Sequence, residues 1–370
     1  MINKLSNINK PLLMGPGPSC VSDLVYKALA KPTLGHLDPK FISLMDEIKI
    51  FLQKMFHTEN QLTVPVSGTG SAGMETCFVN LIEPGDNVFI LINGVFGSRM
   101  EDVASRLGAN VNSLNFDWGT PVLLDQVEKQ LARKKFDLVA IVHAETSTGV
   151  CNPIEEIGKQ VQDNGALYLV DCVTSLGGMH LKMDEWNIDA IYSGTQKCLS
   201  CPPGLAPISF SERAVEKLSN RKSKVPNWYL DLSMIINYWS GKTRVYHHTA
   251  PINMLYGLYQ ACFNILKEGL ENVIQRHLQM HQLLVNELNN LGLELFVEES
   301  VRLPMLNAVK IPEGVNDGVV RNKLMNKFHI EIGGGLGPLA GKIWRIGLMG
   351  ETAKKENIHR LMDAFRKILN

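Results

Sequence analysis

The sequence predicts an α/β fold in which a mostly parallel sheet is sandwiched by helices, with a smaller α+β domain towards the C-terminus. The first observation is a set of short β-rich runs, at 61–66, 87–92, 137–143, 166–171, 189–193 and 205–210. The second is that helix-sized segments fall among these runs, which is typical of parallel strands joined by crossover helices. The third is a change after about Met254, where a long helical stretch precedes strands mixed with helices.

The first helix of the larger part has clear boundary signals. Asp38 is a suitable N-cap, and Pro39 suits the first helical position because an N–H there needs no partner. Apolar residues then recur at helical spacing, at Phe41, Leu44, Met45, Ile48, Leu52 and Met55. These features predict an amphipathic helix with one buried face.

The C-terminal part is predicted to begin with one long helical stretch that runs to about Asn290 and stops at Gly292. Short strands are predicted at 294–297, 307–311 and 343–348. The final helix is predicted to begin near Thr352 and to bury Ile358, Leu361, Met362, Phe365 and Leu369. We therefore divide the chain into an N-terminal arm (1–20), a large domain (21–255) and a small C-terminal domain (256–370).

Composition argues against several classes of protein. The 370 residues include 37 basic and 37 acidic side chains, and this zero formal net charge argues against a nucleic-acid partner. No run of about 18 uncharged apolar residues is present, so neither a transmembrane helix nor a membrane partner is predicted. The first ten residues lack the apolar segment of a secretory signal. The seven scattered cysteines suit a reducing compartment, and we expect a cytoplasmic protein.

The cysteine spacing contains one possible metal or redox motif. Cys198 and Cys201 have Cys-x-x-Cys spacing. A zinc site would need a second pair of ligands at a suitable distance along the chain, and no such pair stands out. We therefore predict no metal site and interpret these residues as free thiols.

A glycine-rich loop follows the first strand of the predicted sheet. Gly68, Gly70 and Gly73 fit the G-x-G-x-x-G pattern, and a helix is predicted from Met74 to Leu81. Such a loop can hold phosphate on free N–H groups at a helix N-terminus. A dinucleotide site would also need an acidic residue at the end of the next strand, where this sequence has Asn93. A phosphate monoester, with hydroxyls from Thr69 and Ser71, fits the loop better, although the dinucleotide reading stays open.

Two further strand ends carry chemistry. Asp171 ends an apolar strand, at the carboxyl edge where open α/β sheets bind ligands. The next strand breaks at 193–194 and presents Lys197 at the same edge, between apolar or small neighbours. Partial burial lowers the pKa of a lysine and makes its amine a usable nucleophile. An amine for a Schiff base, a carboxylate for a pyridinium nitrogen and a phosphate cradle are what pyridoxal phosphate requires of a protein.

These motifs resemble those of the class V aminotransferases of fold type I, in particular the alanine–glyoxylate and serine–pyruvate aminotransferase branch. The resemblance covers nearly the whole chain and is most specific at 14–19, 67–73, 93–97, 145–149, 170–175, 193–197, 246–249 and 344–347. It implies the fold type I architecture for the predicted sheet. It also implies pyridoxal 5′-phosphate as the cofactor and a homodimer with shared active sites.

The resemblance assigns roles to individual residues. Lys197 would bind the cofactor covalently and shuttle the substrate proton, and Asp171 would pair with the pyridinium nitrogen. The remaining cofactor contacts would come from Phe96 and Val173 on the two ring faces, Thr146 near the ring hydroxyl, and Thr69, Gly70, Ser71 and Gln196 at the phosphate. Tyr246 and Thr249 would reach the phosphate from the partner subunit. Arg345 would bind the substrate carboxylate, while His247 and His248 are interpreted as hydrogen-bonded structural residues.

The predicted reaction moves an amino group from a small amino acid, alanine or serine, to a 2-oxo acid, glyoxylate or pyruvate. The motifs place no second arginine for a side-chain carboxylate, which disfavours aspartate and glutamate as donors. Within the superfamily, 2-aminoethylphosphonate–pyruvate and kynurenine-type transamination are the alternatives. A cysteine desulfurase is disfavoured because only Cys262 follows Cys201. From other classes, an NAD-dependent dehydrogenase on the glycine loop and a non-catalytic protein of this fold stay open.

Overall fold

The structure is a computed structural model that describes Leu5, Ile8 and residues 10–239 and 244–369. Most of the first half of the predicted N-terminal arm therefore lies outside the described residues. The strands are β1 (Leu12–Leu13), β2 (Leu62–Ser67), β3 (Asn87–Ile92), β4 (Asn110–Asn115), β5 (Leu138–Val142), β6 (Ala144–Glu145), β7 (Val150–Cys151), β8 (Leu167–Asp171), β9 (Ala190–Tyr192), β10 (Leu205–Phe210), β11 (Leu306–Lys310), β12 (Ile330–Glu331), β13 (Gly333–Gly334) and β14 (Ile343–Gly347). The α-helices are α1 (Asp23–Leu29), α2 (Pro39–Phe56), α3 (Gly70–Leu81), α4 (Val95–Arg106), α5 (Leu124–Arg133), α6 (Ile154–Asn164), α7 (Glu212–Ser219), α8 (Leu232–Trp239), α9 (Ile252–Glu268), α10 (Leu270–Asn290), α11 (Asp317–Phe328) and α12 (Lys355–Leu369).

The large unit is built on a seven-stranded sheet with the order β2-β10-β9-β8-β5-β3-β4. The pairs from β9 to β4 are parallel, and β10 is antiparallel to both of its neighbours. The inner strands are buried along their whole length, which explains why they form nearly continuous apolar runs rather than alternating ones. The predicted mostly parallel sheet flanked by helices is confirmed.

The helix signals around Asp38 correspond to the start of α2. The Asp38 side chain accepts a 2.8 Å hydrogen bond from the Lys40 N–H, and Pro39 occupies the first helical turn. Among the seven strands of this sheet, β4 is the one that was not predicted from the sequence. It lies at the edge of the sheet and carries three asparagines, and its residues are exposed or half-buried, so it lacks an apolar run.

The small unit packs α10, α11 and α12 around a three-stranded antiparallel sheet, β11-β14-β13. Leu12 and Met14 from the N-terminal segment join this core, and β1 pairs with β12. A strand predicted at 294–297 does not form; that segment contributes an isolated bridge between Leu295 and Val309 before the chain turns at 299–301. The predicted strands at 307–311 and 343–348 are present as β11 and β14.

The predicted single helical stretch up to Asn290 consists of two helices. Gly269 separates α9 from α10 with a φ of 92°, a left-handed conformation that glycine adopts without strain. Leu258 and Cys262 of α9 are buried in the core of the large unit. The division at residue 255 stays a prediction, and this packing favours moving the boundary beyond α9.

The described residues contain no helix long and apolar enough to cross a membrane.

Candidate active site

One pocket lies at the carboxyl ends of β5 and β8, beside the loops that follow β2, β3 and β9. It encloses about 570 Å³ of empty space including its open mouth. The side chains and backbone that line it come from Gly70, Ser71, Met74, Phe96, Arg99, Val142, Ala144, Thr146, Asp171, Val173, Thr174, Tyr192, Gln196 and Lys197. Eight of the residues singled out in the sequence are therefore brought together, although they are spread over more than 120 positions.

Asp171 is the last residue of β8, and both of its carboxylate oxygens are held. The Val173 N–H donates to Oδ1 at 2.7 Å, and the Tyr192 hydroxyl donates to Oδ2 at 2.8 Å. Burial raises the pKa of this carboxyl to about 6, against the opposing effect of these two hydrogen bonds and the positive charge of Lys197. The carboxylate is thus fixed in orientation at the floor of the pocket.

Lys197 follows β9 after a short turn, and its amine donates a hydrogen bond to the Pro16 carbonyl oxygen. The Ser19 hydroxyl donates to the Lys197 carbonyl at 2.7 Å, which ties the N-terminal segment to this loop. Burial and the nearby cation of Arg345 together lower the pKa of the Lys197 amine to about 8. A much larger fraction of this amine is therefore unprotonated near neutral pH than of an ordinary lysine, as a nucleophile requires.

The glycine loop forms the opposite side of the pocket. The helix predicted from Met74 begins four residues earlier, at Gly70, because the small residues from Gly70 to Gly73 are also helical. Thr69 is its N-cap. The Thr69 side chain makes no capping hydrogen bond, and the backbone N–H groups of Gly70 and Ser71 head the helix beside the pocket. A Cβ built at Gly70 would lie 3.2 Å from Cγ2 of Val173, so a side chain larger than glycine would crowd Val173. Such a helix start favours a phosphate group.

Gln196 completes this side of the pocket. Its buried Oε1 atom finds no hydrogen-bond partner among the described residues. A buried amide end without a partner is rare in folded proteins. Because the amide oxygen and nitrogen positions are assigned from hydrogen bonding, the same end can present its N–H₂ group to a phosphate oxygen. The unsatisfied atom therefore indicates a ligand at this point.

Phe96 lies in the first turn of α4 and is partly buried. The Arg99 guanidinium lies over its ring, 5.1 Å from the ring centroid. Arg99 also lines the pocket, so the structure places a second arginine there that the motifs had not indicated. No pattern in the sequence could have marked Arg99, because one helical turn from Phe96 is an ordinary place for a surface arginine.

Arg345 lies on β14 of the small unit and is not among the residues that line the pocket, but it contacts Thr146, which does line it. Its Nε donates to the Gly334 carbonyl at 2.7 Å, and its Nη1 donates to the Thr146 carbonyl at 3.2 Å. The side chain is buried, and burial lowers the pKa of the guanidinium, opposed by the negative charge of Glu145. A buried guanidinium without an ion pair of its own in the described residues is suited to an anionic ligand.

Tyr246 and Thr249 lie apart from this pocket. The two side chains are exposed and their hydroxyl oxygens lie 3.2 Å apart. Neither residue lines the pocket of its own chain. His247 and His248 contact each other through their Nδ1 atoms at 2.8 Å, and His248 Nε2 lies 2.8 Å from the Ser67 hydroxyl oxygen.

No group of three or more potential metal ligands occurs in the part of the chain that the structure describes. All seven cysteines are described, and each is a free thiol. Cys198 is buried and donates to the Thr174 carbonyl at 3.1 Å.

The fold and the pocket define an enzyme of the pyridoxal-phosphate-dependent fold type I class. A profile described as Aminotransferase class-V matches residues 23–343. The chain belongs to the class V aminotransferases, and pyridoxal phosphate is its cofactor. This membership removes the basis for the dehydrogenase reading of the glycine loop and for a non-catalytic role.

Solved structures and relatives agree with this family. The crystal structure of an alanine–glyoxylate aminotransferase from Nostoc sp. is 46% identical, covers 100% of this chain and 98% of its own, and superposes with a TM-score of 0.98. The alanine–glyoxylate aminotransferase of Rattus norvegicus is 41% identical over 100% of this chain and 90% of its own length. The (S)-ureidoglycine–glyoxylate transaminase of Bacillus subtilis (strain 168) is 38% identical over 96% and 90%, respectively.

The residues of the pocket fit pyridoxal phosphate. The unpartnered amide end of Gln196 and the open helix start at Gly70 suit a phosphate, and the buried Asp171 suits a pyridinium nitrogen. The Lys197 amine, with its lowered pKa, suits covalent attachment. The roles of the individual site residues stay predictions, which the experiments below test.

Proposed function

We propose that this aminotransferase uses alanine or serine as the amino donor and glyoxylate or pyruvate as the acceptor. The observation that carries the proposal is the position of Arg345, whose buried guanidinium donates a hydrogen bond to Thr146, a lining residue of the pocket that contains Lys197 and Asp171. An amino acid and a 2-oxo acid share a carboxylate, and a single guanidinium can bind each in turn as a bidentate pair. A ping-pong exchange at one site follows from this arrangement.

The relatives support glyoxylate as the acceptor in particular. Two of them have different donors in their names, alanine and ureidoglycine, but both names include glyoxylate. These relatives therefore share the acceptor in their names and differ in the donor. Ureidoglycine is therefore a second candidate donor.

The chemistry of the proposed site is divided between the cofactor and this chain. Pyridoxal phosphate, when bound, supplies the electron sink that allows a substrate Cα–H bond to ionise. The ionised Asp171 carboxylate would hold a positive charge on the ring nitrogen. The Lys197 amine would take the proton from the substrate Cα and deliver it to C4′ of the cofactor, the transfer that moving the amino group requires.

A panel of amino acids tests the donor. The purified enzyme is mixed with one amino acid at a time, and the loss of the visible absorbance of the lysine-linked cofactor is followed. The panel contains alanine, serine, ureidoglycine, kynurenine, 2-aminoethylphosphonate, aspartate and glutamate; the last two are needed because Arg99 lines the pocket. We expect alanine or serine to react fastest. A faster reaction with any of the other donors overturns the donor assignment, and no reaction with any donor overturns the function.

We further propose that the enzyme is a homodimer in which Tyr246 and Thr249 complete the partner's phosphate site. Both side chains are exposed and lie outside the pocket of their own chain, and Trp228 and Val245 nearby are also exposed. Large apolar side chains exposed together are typical of an interface. A second copy of the chain would bury them.

A complementation experiment tests the shared site. The variants Lys197→Ala and Tyr246→Ala are each expected to have low activity. In a mixed dimer, one site would contain both defects and the other would contain neither, so unfolding and refolding an equal mixture should restore activity. If Tyr246 acts in its own chain, no mixed dimer contains an intact site and no activity returns.

We also propose that the enzyme acts in the cytoplasm, since all seven cysteines are free thiols. Fractionation of cells that express the tagged chain at native level tests this location, and recovery in a membrane-bounded compartment would contradict it.

A further inference from the structure

Glu145 is a fully buried carboxylate in which both oxygens accept hydrogen bonds. The Ser147 hydroxyl and N–H donate to Oε1 at 2.6 and 3.0 Å. The N–H groups of Phe96 and Gly97 donate to Oε2 at 3.1 and 3.4 Å. No salt bridge is recorded for this carboxylate within the described residues. A buried charge without an ion pair is costly, so its four donors must hold it in place.

Two of these donors, the N–H groups of Phe96 and Gly97, belong to the first turn of α4. The Val95 N–H donates to the Ser147 hydroxyl at 3.0 Å, so residues 145–147 satisfy the first three N–H groups of the helix. The N-cap position of α4 is Gly94, which has no side chain to do this. A Cβ built at Gly94 would lie 2.4 Å from the Glu145 carboxyl carbon and 2.5 Å from the Ser147 hydroxyl oxygen. Glycine at this position therefore admits a cap from a distant part of the chain.

The helix start that Glu145 caps carries Phe96, which lines the pocket. The direction in which α4 leaves its first turn determines where the Phe96 ring lies. The Glu145 carboxylate thus accepts a hydrogen bond from the backbone of Phe96, the residue that is predicted to stack on the cofactor ring.

Residues 145–147 also contact Arg345. The carbonyl of Thr146, the residue after Glu145, accepts the 3.2 Å hydrogen bond from Arg345 Nη1. The negative charge of Glu145 also raises the pKa of the Arg345 guanidinium, opposing the effect of burial. One hairpin therefore contacts both the ring-stacking residue and the carboxylate-binding residue.

We infer that Glu145 is a positioning residue that sets the Phe96 ring and the Arg345 guanidinium relative to each other, and so aligns the substrate carboxylate with the cofactor ring. This inference rests on the proposed function, because it assumes that Arg345 binds a substrate carboxylate. A purely structural helix cap would affect stability alone. Loss of the carboxylate should change substrate affinity and the environment of the cofactor, in addition to stability.

The test compares Glu145→Gln with a matched control, Asp189→Asn. Asp189 is also buried in the large unit, where it accepts hydrogen bonds from the Tyr168 N–H at 3.0 Å and the Ser211 hydroxyl at 2.8 Å and pairs with Arg213 at 3.1 Å. None of these three partners lines the pocket, whereas Glu145 holds Phe96, which does. Each holoenzyme is assayed for thermal midpoint, for KM and kcat with donor and acceptor, and for the visible circular dichroism of bound cofactor. We expect both variants to lose stability, and only Glu145→Gln to raise both KM values, by about 10- to 100-fold, and to alter the cofactor dichroism.

If Glu145→Gln does not fold, Ser147→Ala provides the test, since it removes one donor to Glu145 and the acceptor for Val95 while leaving the carboxylate. We expect Ser147→Ala to raise both KM values and to alter the cofactor dichroism by a smaller amount than Glu145→Gln. Unchanged KM values and dichroism in a folded variant, with loss of stability alone, would overturn the inference. If the unaltered enzyme binds cofactor but reacts with no donor, the proposed function fails, and the dichroism comparison still tests the link from Glu145 to Phe96.

Discussion

The Tyr192 hydroxyl donates a 2.8 Å hydrogen bond to Oδ2 of Asp171, and the two residues lie opposite each other on the parallel strands β9 and β8. The other oxygen of Asp171 accepts from the Val173 N–H. A hydrogen bond to the ionised form lowers the pKa of a carboxyl, and here it opposes the effect of burial. Tyr192 therefore helps to keep Asp171 charged where a pyridinium nitrogen would meet it.

Replacing Tyr192 by phenylalanine should weaken cofactor binding. The variant removes one hydrogen bond to a charged group, worth about 1.5–3 kcal/mol, so the cofactor dissociation constant should rise at least about tenfold. Titration of the apoprotein with pyridoxal phosphate, followed by absorbance, measures this change. Tyr168→Phe is the control, because the Tyr168 hydroxyl donates to the Ile154 carbonyl away from the pocket. Equal dissociation constants for the two variants would contradict the role of Tyr192.

Gly17 should be intolerant of a side chain because it lies against the Lys197 amine. Its φ is 103°, and a Cβ built there would lie 2.6 Å from Nζ of Lys197. Gly17→Ala should therefore block covalent attachment of the cofactor, which the absorbance of the lysine-linked form reports.

Gly85→Ala is the matched control for this prediction. Gly85 has a φ of 92° and nothing within 4 Å of a built Cβ, so its substitution adds comparable backbone strain without crowding. Both variants should lose stability, but only Gly17→Ala should lose attachment. Normal attachment in Gly17→Ala would show that the amine does not need this space.

The rate of cofactor attachment should depend on pH through Lys197. Because burial lowers the pKa of this amine to about 8, the unprotonated fraction should rise from about pH 7 to about pH 9 and then level off. An ordinary lysine would still be largely protonated over this range. Stopped-flow absorbance of the apoprotein mixed with pyridoxal phosphate measures the midpoint of the rise.

Two variants should move this midpoint in opposite directions. Asp171→Asn removes a negative charge that raises the pKa of Lys197, so the midpoint should fall. Arg345→Met removes a positive charge that lowers this pKa, so the midpoint should rise. A midpoint that neither variant moves would mean that another group controls attachment.

Arg345→Lys should raise KM for the amino donor and for the 2-oxo acid together. The guanidinium is oriented by the Gly334 and Thr146 carbonyls, and a lysine cannot reproduce that fork. Loss of a charge-assisted hydrogen bond should raise each KM by about 10- to 100-fold. Steady-state kinetics with both substrates measures the effect. A change in only one of the two KM values would contradict a shared carboxylate site.

Much of the site could be predicted because its residues lie at strand ends in a sheet of apolar strands. Asp171 follows a continuous buried run, and Lys197 follows the next strand along the chain, so the sequence places both at one edge. The residues that position the side chains of the site could not be found in this way. Tyr192 is an ordinary aromatic within a strand, and Glu145 acts only because the chain brings α4 and the β6–β7 hairpin together.

The errors in the predicted elements have local physical causes. The strand β4 is polar because it lies at the sheet edge, and α3 begins at Gly70 although glycines are poor helix formers. Gly269 interrupts a pattern that remains apolar on both sides, so periodicity alone predicts one helix. In each case a tertiary contact or a single backbone conformation decided the outcome.

The most direct test of the central claim is the site of cofactor attachment. The holoenzyme is reduced with borohydride, digested, and the peptides are identified by mass spectrometry. We expect the phosphopyridoxyl group on Lys197, and we expect prior addition of alanine to prevent its attachment. A modified lysine elsewhere, or modification that alanine does not prevent, would contradict it.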